Sequence, residues 1–131
     1  KIKAVVLMAP AAVLRDDALR GQLMGVTYDA LNPPEYVEIF TPHGSYKVGR
    51  NYIQTAQVLP IYETAEKFTG SALMIHGTGD IIVPYTYSLS YKKVYARGEV
   101  KLLDGVDHSF VGEEARTAEI ATEFFAAQLK K

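Results

Sequence analysis

Two short segments carry side chains able to move protons. The first is His76-Gly77-Thr78-Gly79-Asp80-Ile81-Ile82-Val83-Pro84. An apolar run ends at His76, a glycine-bearing turn follows, and an acid stands before a helix begins near Pro84. The second is Leu102-Leu103-Asp104-Gly105-Val106-Asp107-His108-Ser109-Phe110. Again an apolar run ends, a turn follows, and a histidine arrives. An imidazole has an unperturbed pKa of about 6.5, so near neutral pH it takes a proton from a hydroxyl and returns it to a leaving group. A buried acid at its Nδ1 fixes the tautomer and stabilises the imidazolium. Asp80 taken alone reads equally well as such an acid or as a turn residue bonding nearby backbone. A lone loop histidine is more often structural or solvated. The pairing changes this reading, because two successive parallel strands would deliver acid and base to one edge of a sheet. Asp107 is a rival acid, but it adjoins His108 and reads as a turn residue.

The elements around these segments follow a parallel α/β order. Ile2 to Met8, Ser71 to His76 and Glu99 to Leu103 are short, nearly continuous apolar runs, the pattern of strands buried on both faces. The first is stopped by Ala9-Pro10. A helix is expected over Tyr85 to Arg97, with Gly98 as its C′ residue. Another is expected over Glu113 to Lys130, with Thr117, Ile120, Ala121, Phe124, Phe125 and Gln128 on one stripe. Strand–helix–strand–helix order implies right-handed crossovers. The first connection breaks the rhythm: about 60 residues separate the first two strands, far beyond an ordinary crossover. Its turns (Asn32-Pro33-Pro34, Thr41-Pro42-His43-Gly44) and its aromatics suggest an inserted cap, with Tyr28, Tyr36, Phe40, Tyr46, Tyr52 and Tyr62 supplying burial.

Composition sets further bounds. The chain has 131 residues, 48% of them hydrophobic, and a formal net charge of -1 from 14 basic and 15 acidic residues. No basic stripe points to nucleic acid or an anionic membrane, and no apolar run approaches the ~20 residues needed to span a bilayer. Cysteine is absent, so disulfides and thiolate metal sites are excluded. His43, His76 and His108 lack ligand spacing, so no metal and no cofactor is expected. Composition does not fix the compartment; the working expectation is cytoplasmic. A strand opening at Ile2, without an initiator methionine, reads as the carboxy-terminal part of something longer.

The His-Gly-x-x-Asp-x-x-Val-Pro segment at His76 to Pro84 and the Gly-x-x-His segment at Gly105 to His108 resemble the last two motifs of serine α/β-hydrolases, in the chain order acid then histidine. Ala9-Pro10-Ala11-Ala12, Asp17-Ala18-Leu19 with Gly21, Gly25-Val26-Thr27-Tyr28 and Leu59-Pro60-Ile61-Tyr62 resemble the cap and cap borders of the cinnamoyl (feruloyl) esterase branch. The resemblance covers nearly the whole chain and is weakest from Ala30 to Arg50. It implies a partial α/β-hydrolase fold: about three parallel strands, flanking helices and an inserted cap. Residues 1–10 and 60–131 would form the core portion and residues 11–59 the cap. Asp80 would be the triad acid and His108 the base, while Asp17 and Tyr52 match the cap residues that meet the phenolic end of a hydroxycinnamate. Asp17 reads otherwise as a helix cap or solvated residue, and Tyr52 as cap core. Met24 stands where that branch has a polar residue.

No Gly-x-Ser-x-Gly occurs, and none of Ser45, Ser71, Ser88, Ser90 and Ser109 is expected on a strand-to-helix elbow with backbone N–H donors beside it. His43-Gly44 falls in the cap and is discounted as an oxyanion turn, and His76 reads as closing its strand structurally. The resemblance therefore implies an amino-terminal half of the same fold, carrying the serine and oxyanion hole, as partner, and a small aromatic ester as substrate. A lipase-like esterase or a prolyl-oligopeptidase-type peptidase are alternatives on the same fold. A non-catalytic module binding a partner through its open sheet edge is the alternative of a different kind.

Overall fold

The computed structural model describes residues 1–131. In chain order the elements are β1 (Ala4–Met8), α1 (Val13–Arg20), β2 (Gln22–Leu23), β3 (Val26–Thr27), β4 (Tyr36–Thr41), β5 (Gly44–Gly49), α2 (Arg50–Gln57), α3 (Ile61–Glu66), β6 (Ser71–Gly77), α4 (Thr86–Val94), β7 (Arg97–Leu103) and α5 (Glu114–Leu129). They form two compact units, one of Lys1–Ala11 with Ile61–Lys131 and one of Ala12–Pro60. No helix is long and apolar enough to cross a membrane.

The first unit is built on a parallel three-stranded sheet of order β1-β6-β7. Ala4 pairs with Ser71 at one end and Met8 with Ile75 at the other, while Ser71 to Gly77 run beside Arg97 to Leu103. The central strand is buried along its whole length. The outer strands are not: β1 is half-buried and exposed at Met8, and only Leu103 of β7 is fully covered. All three runs read as two-face-buried strands in the sequence, yet only β6 has a strand on each side. Alternation along β6 sends Leu73 and Ile75 to one face, where they meet Leu103, Val106, Phe110 and Phe124 of α5 in the main core. Burying a side chain such as Leu103 stabilises the fold by about 1.5–3 kcal/mol, so this cluster anchors the loops that follow β6 and β7. Strand β1 ends because Ala9 takes a left-handed φ of 45° while its N–H donates to the Ile75 carbonyl.

Helix α4 is shorter than the expected Tyr85–Arg97 span. Tyr95 is already extended, its ring stacked on Tyr91 and edge-on to Phe68, and Arg97-Gly98 belongs to β7. Gly98 is thus no helix cap. It allows a close pass of β7 against α4, since a Cβ there would lie 3.1 Å from the Lys92 carbonyl oxygen. The last helix falls within one residue of the expected bounds at each end.

The second unit has its own small core: Ala12, Ala18, Val37, Ile53 and Ala56. Helix α1 ends at Gly21, whose φ of 75° is the left-handed cap that glycine adopts without strain. Strands β2 and β3 form a hairpin whose two-residue turn, Met24-Gly25, has both φ values positive, at 48° and 82°. A second hairpin pairs β4 with β5. Gln57 of α2 ties these parts together, donating to the Ala18 and Ala30 carbonyls. The expectation that aromatics supply the burial is met only by Tyr28, which is partly buried and donates its hydroxyl to the Ala18 carbonyl at 3.3 Å. Tyr36, Phe40, Tyr46 and Tyr52 are all exposed, and Tyr62 lies outside this unit, edge-on to Tyr91. Tyr36 and Phe40 stand on the face of β4 opposite the buried Val37, whereas Tyr46 shares the face of Val37 and Ile39 and is exposed all the same.

Candidate active site

The loops after β6 and β7 come together at the carboxyl ends of the strands. Their backbones are stitched: the Thr78 N–H donates to the Leu103 carbonyl at 2.9 Å, and the Gly79 N–H to the Val106 carbonyl at 3.0 Å. The Thr78 hydroxyl accepts from the Gly105 N–H at 2.8 Å. Glycine is required for this approach. A Cβ on Gly77 would lie 2.0 Å from the Val106 carbonyl oxygen, and one on Gly79 would lie 2.6 Å from that of Gly105.

That approach brings Asp80 and His108 into contact. His108 Nδ1 lies 2.8 Å from Asp80 Oδ2. A carboxylate only accepts, so His108 carries its proton on Nδ1 and presents Nε2 as a lone-pair acceptor. The Asp80 side chain has no solvent exposure, whereas that of His108 is 33% exposed. The acid is therefore enclosed and the base accessible, the asymmetry needed for a base held by a fixed counter-charge.

Asp80 accepts four hydrogen bonds. Oδ1 takes the Ile82 N–H at 2.9 Å and the Val83 N–H at 2.8 Å. Oδ2 takes His108 and also His76 Nε2, the latter at 3.1 Å. Burial by itself raises the carboxyl pKa. Hydrogen bonds from Val83, His108 and Ile82, together with the His108 charge, outweigh it and hold the group below its ordinary range. Asp80 is thus both the turn residue and the histidine partner, the two roles its sequence context left open.

The His108 loop is held by its own strain and bonds. Gly105 turns the chain with φ 69°, and Phe110 is forced to φ 57° while its ring is buried in the core. A left-handed bulky residue costs on the order of 1 kcal/mol, met here by the packing of the ring. Asp107 accepts the Val111 N–H at 3.0 Å, as a turn residue does.

The remaining sequence candidates lie elsewhere. Asp17 sits on α1, paired at 2.8 Å with Arg20 one turn on. It is not the helix cap. Tyr52 lies on α2, largely exposed and outside the unit's core. No hydrogen bond joins the two. Ser71 donates to Gln128, Ser90 to the Thr86 carbonyl, and Ser45 lies in β5. No serine bonds His108. His43 is at the tip of the β4–β5 hairpin, and no group of three or more His, Asp and Glu side chains is disposed to hold a metal ion. What the sequence reading passed over is the buried pair His76 and Ser88, joined at 2.7 Å. A fully polar imidazole at the end of a buried strand was the available signal, since such a group must find partners.

A parallel sheet whose last two strand ends supply an enclosed aspartate and an accessible histidine defines a partial α/β-hydrolase. Solved structures agree. The chain superposes on Est1E from Butyrivibrio proteoclasticus with a TM-score of 0.89 at 30% sequence identity, over 99% of this chain and 52% of that one. Est1E with ferulic acid bound gives the same TM-score and identity, over 99% and 51%. The esterase domain of a Rhodothermus marinus protein is similar in fold, with a TM-score of 0.65 at 14% identity, over 95% and 51%. The chain thus spans about half the length of these structures. No family model matches the sequence, and no curated protein does.

Proposed function

We propose that this chain supplies the acid and base of a serine carboxylesterase acting on hydroxycinnamoyl esters of the feruloyl type. The observation that carries the reading is the 2.8 Å contact between Asp80 Oδ2 and His108 Nδ1, with Nε2 left open. In this mechanism a serine from an amino-terminal half of the same fold attacks the ester carbonyl carbon. His108 Nε2 takes the serine proton as the new C–O bond forms. As the tetrahedral intermediate collapses, the alcohol leaves with that proton, and an acyl-enzyme remains. Water then repeats the sequence, releasing the acid and the serine. Asp80 holds the imidazolium throughout, and hydrogen bonds keep it anionic at neutral pH.

Two features support the finer assignment. Est1E, to which this chain is similar, has been solved with ferulic acid bound. Asp17 and Tyr52 match the branch's substrate-binding positions, and we assign them to the phenolic end of the substrate, with Ala12–Pro60 as the lid. The outer edge of β1 supports a place for the serine-bearing half, because β1 pairs only with β6. Beside that edge runs an apolar groove of about 480 Å³ lined by Met8, Phe110, Ala121 and Phe125.

The test is a substrate panel on the parent that contains both halves. Methyl ferulate should turn over faster than a simple aliphatic ester or a peptide, and His108→Ala should abolish acylation by an activated ester. Fast peptide cleavage with slow ferulate turnover would transfer the assignment to a serine peptidase.

A further inference from the structure

His76 is fully buried, and both of its ring nitrogens are engaged. Nε2 faces two oxygens that can only accept: the Val83 carbonyl at 2.8 Å and Asp80 Oδ2 at 3.1 Å. It must therefore carry a proton. Nδ1 faces the Ser88 hydroxyl at 2.7 Å, and Ser88 is itself fully buried on α4. The hydroxyl can rotate to donate, which leaves Nδ1 the acceptor and the ring in a single tautomer. No buried polar side-chain atom in the chain lacks a partner, so the arrangement is complete as it stands. Ser88, His76, Asp80 and His108 form one unbroken line of hydrogen bonds, from a buried serine on α4 to a partly exposed histidine.

We propose that His76 is a positioning residue: its Nε2–H, fixed by Ser88, shares Oδ2 of Asp80 with His108 and so sets the orientation of the carboxylate that aligns His108. That this alignment serves a catalytic base rests on the esterase reading; the hydrogen-bonded coupling itself does not. The backbone donors of Ile82 and Val83 hold Oδ1 only. They pin one end of the carboxylate and leave its twist to whatever bonds Oδ2. His108 makes the shorter bond to Oδ2, 2.8 Å against 3.1 Å from His76, whose Nε2–H is shared with the Val83 carbonyl; but His76 is the enclosed donor, beyond the reach of the water that competes for the partly exposed His108 ring. A residue that merely fills space at position 76 would give the same packing with leucine. It would leave Oδ2 with one donor fewer.

Ring-nitrogen NMR on the 131-residue chain without substrate reads the coupling. In the unmodified chain His76 should show a proton on Nε2 and a bare Nδ1, and His108 a resolved Nδ1–H. In His76→Leu the His108 Nδ1–H should exchange with water about tenfold faster, the scale of one lost charge-assisted hydrogen bond. His76→Gln, whose side-chain amide reaches about as far as Nε2, should restore slow exchange. A His76 ring protonated on Nδ1 with Nε2 bare would overturn the proposal. So would an unchanged His108 signal in a folded leucine variant. Should that variant not fold, Ser88→Ala takes its place: loss of the single tautomer at His76 with faster exchange at His108 supports the coupling, and unchanged signals at both refute it. A parent without esterase activity would sink the proposed function and leave these ring measurements as they are.

Discussion

Asp80 concentrates more of this molecule's chemistry than any other residue. Its carboxylate is enclosed, charged and saturated with donors, so it should behave as a stability determinant as well as an orienting group. The folded-state pKa is lowered. Its stabilising contribution is therefore fully present above the unfolded value of about 3.9 and is lost as pH falls through the folded value. Urea melts of the chain should show stability falling in that acid window, and Asp80→Ala should flatten this part of the profile. At neutral pH the same variant should cost about 3–5 kcal/mol, because the N–H groups of Ile82 and Val83 and the His108 ring lose their acceptor and His76 keeps only the Val83 carbonyl. By contrast His108→Ala should cost only about 1 kcal/mol of fold stability, its ring being one donor among four and partly in water. Much of this was legible in the sequence: an acid and a histidine at successive strand ends named the pair. The second histidine at Oδ2 was not legible. Residue type alone cannot say whether a strand-ending histidine bonds backbone, solvent or an acid four residues on.

The strands and loops show where local pattern stops being informative. Runs of β-branched and aliphatic residues located β1, β6 and β7 within a few residues, because parallel strands need apolar side chains. They did not reveal that only β6 is buried on both faces, which depends on strand order rather than composition. The basic-residue-then-glycine signal after α4 misled for a similar reason. Arg97-Gly98 looks like a helix stop, yet glycine is needed there for a strand to pass close to the helix. The same physics makes a graded prediction for the glycines that join the two site loops. Gly77→Ala should cost about 3 kcal/mol or more, since its Cβ would overlap the Val106 carbonyl and separate the loops. Gly105→Ala meets no atom but must hold a positive φ, and should cost about 1 kcal/mol. Thermal melts of the two variants should keep that order, and a Gly77 variant as stable as the Gly105 one would show that the loops part without penalty.

At the scale of the molecule, two separate cores are the governing fact. Excess length and turn residues make the first connection read as an inserted cap, and Ala12–Pro60 forms a compact unit of its own, but its aromatics misdirected the expectation of what lies inside. Small alanines and single Val and Ile side chains do most of that work with a partly buried Tyr28, and Tyr36, Tyr46 and Tyr52 remain on the surface. The outer edge of β1 and the exposed Met8 predict self-association of the chain by itself. Sedimentation should show mass rising with concentration, and Met8→Lys should reduce it; a strict monomer at every concentration would remove the edge as a pairing surface. The chain leaves the first unit after Ala11 and re-enters it at Ile61. A segment joined at two such points is a cassette. Recombination or a designed splice can exchange it as one block, so Ala12–Pro60 can be replaced while the Ser88–His76–Asp80–His108 line is inherited intact.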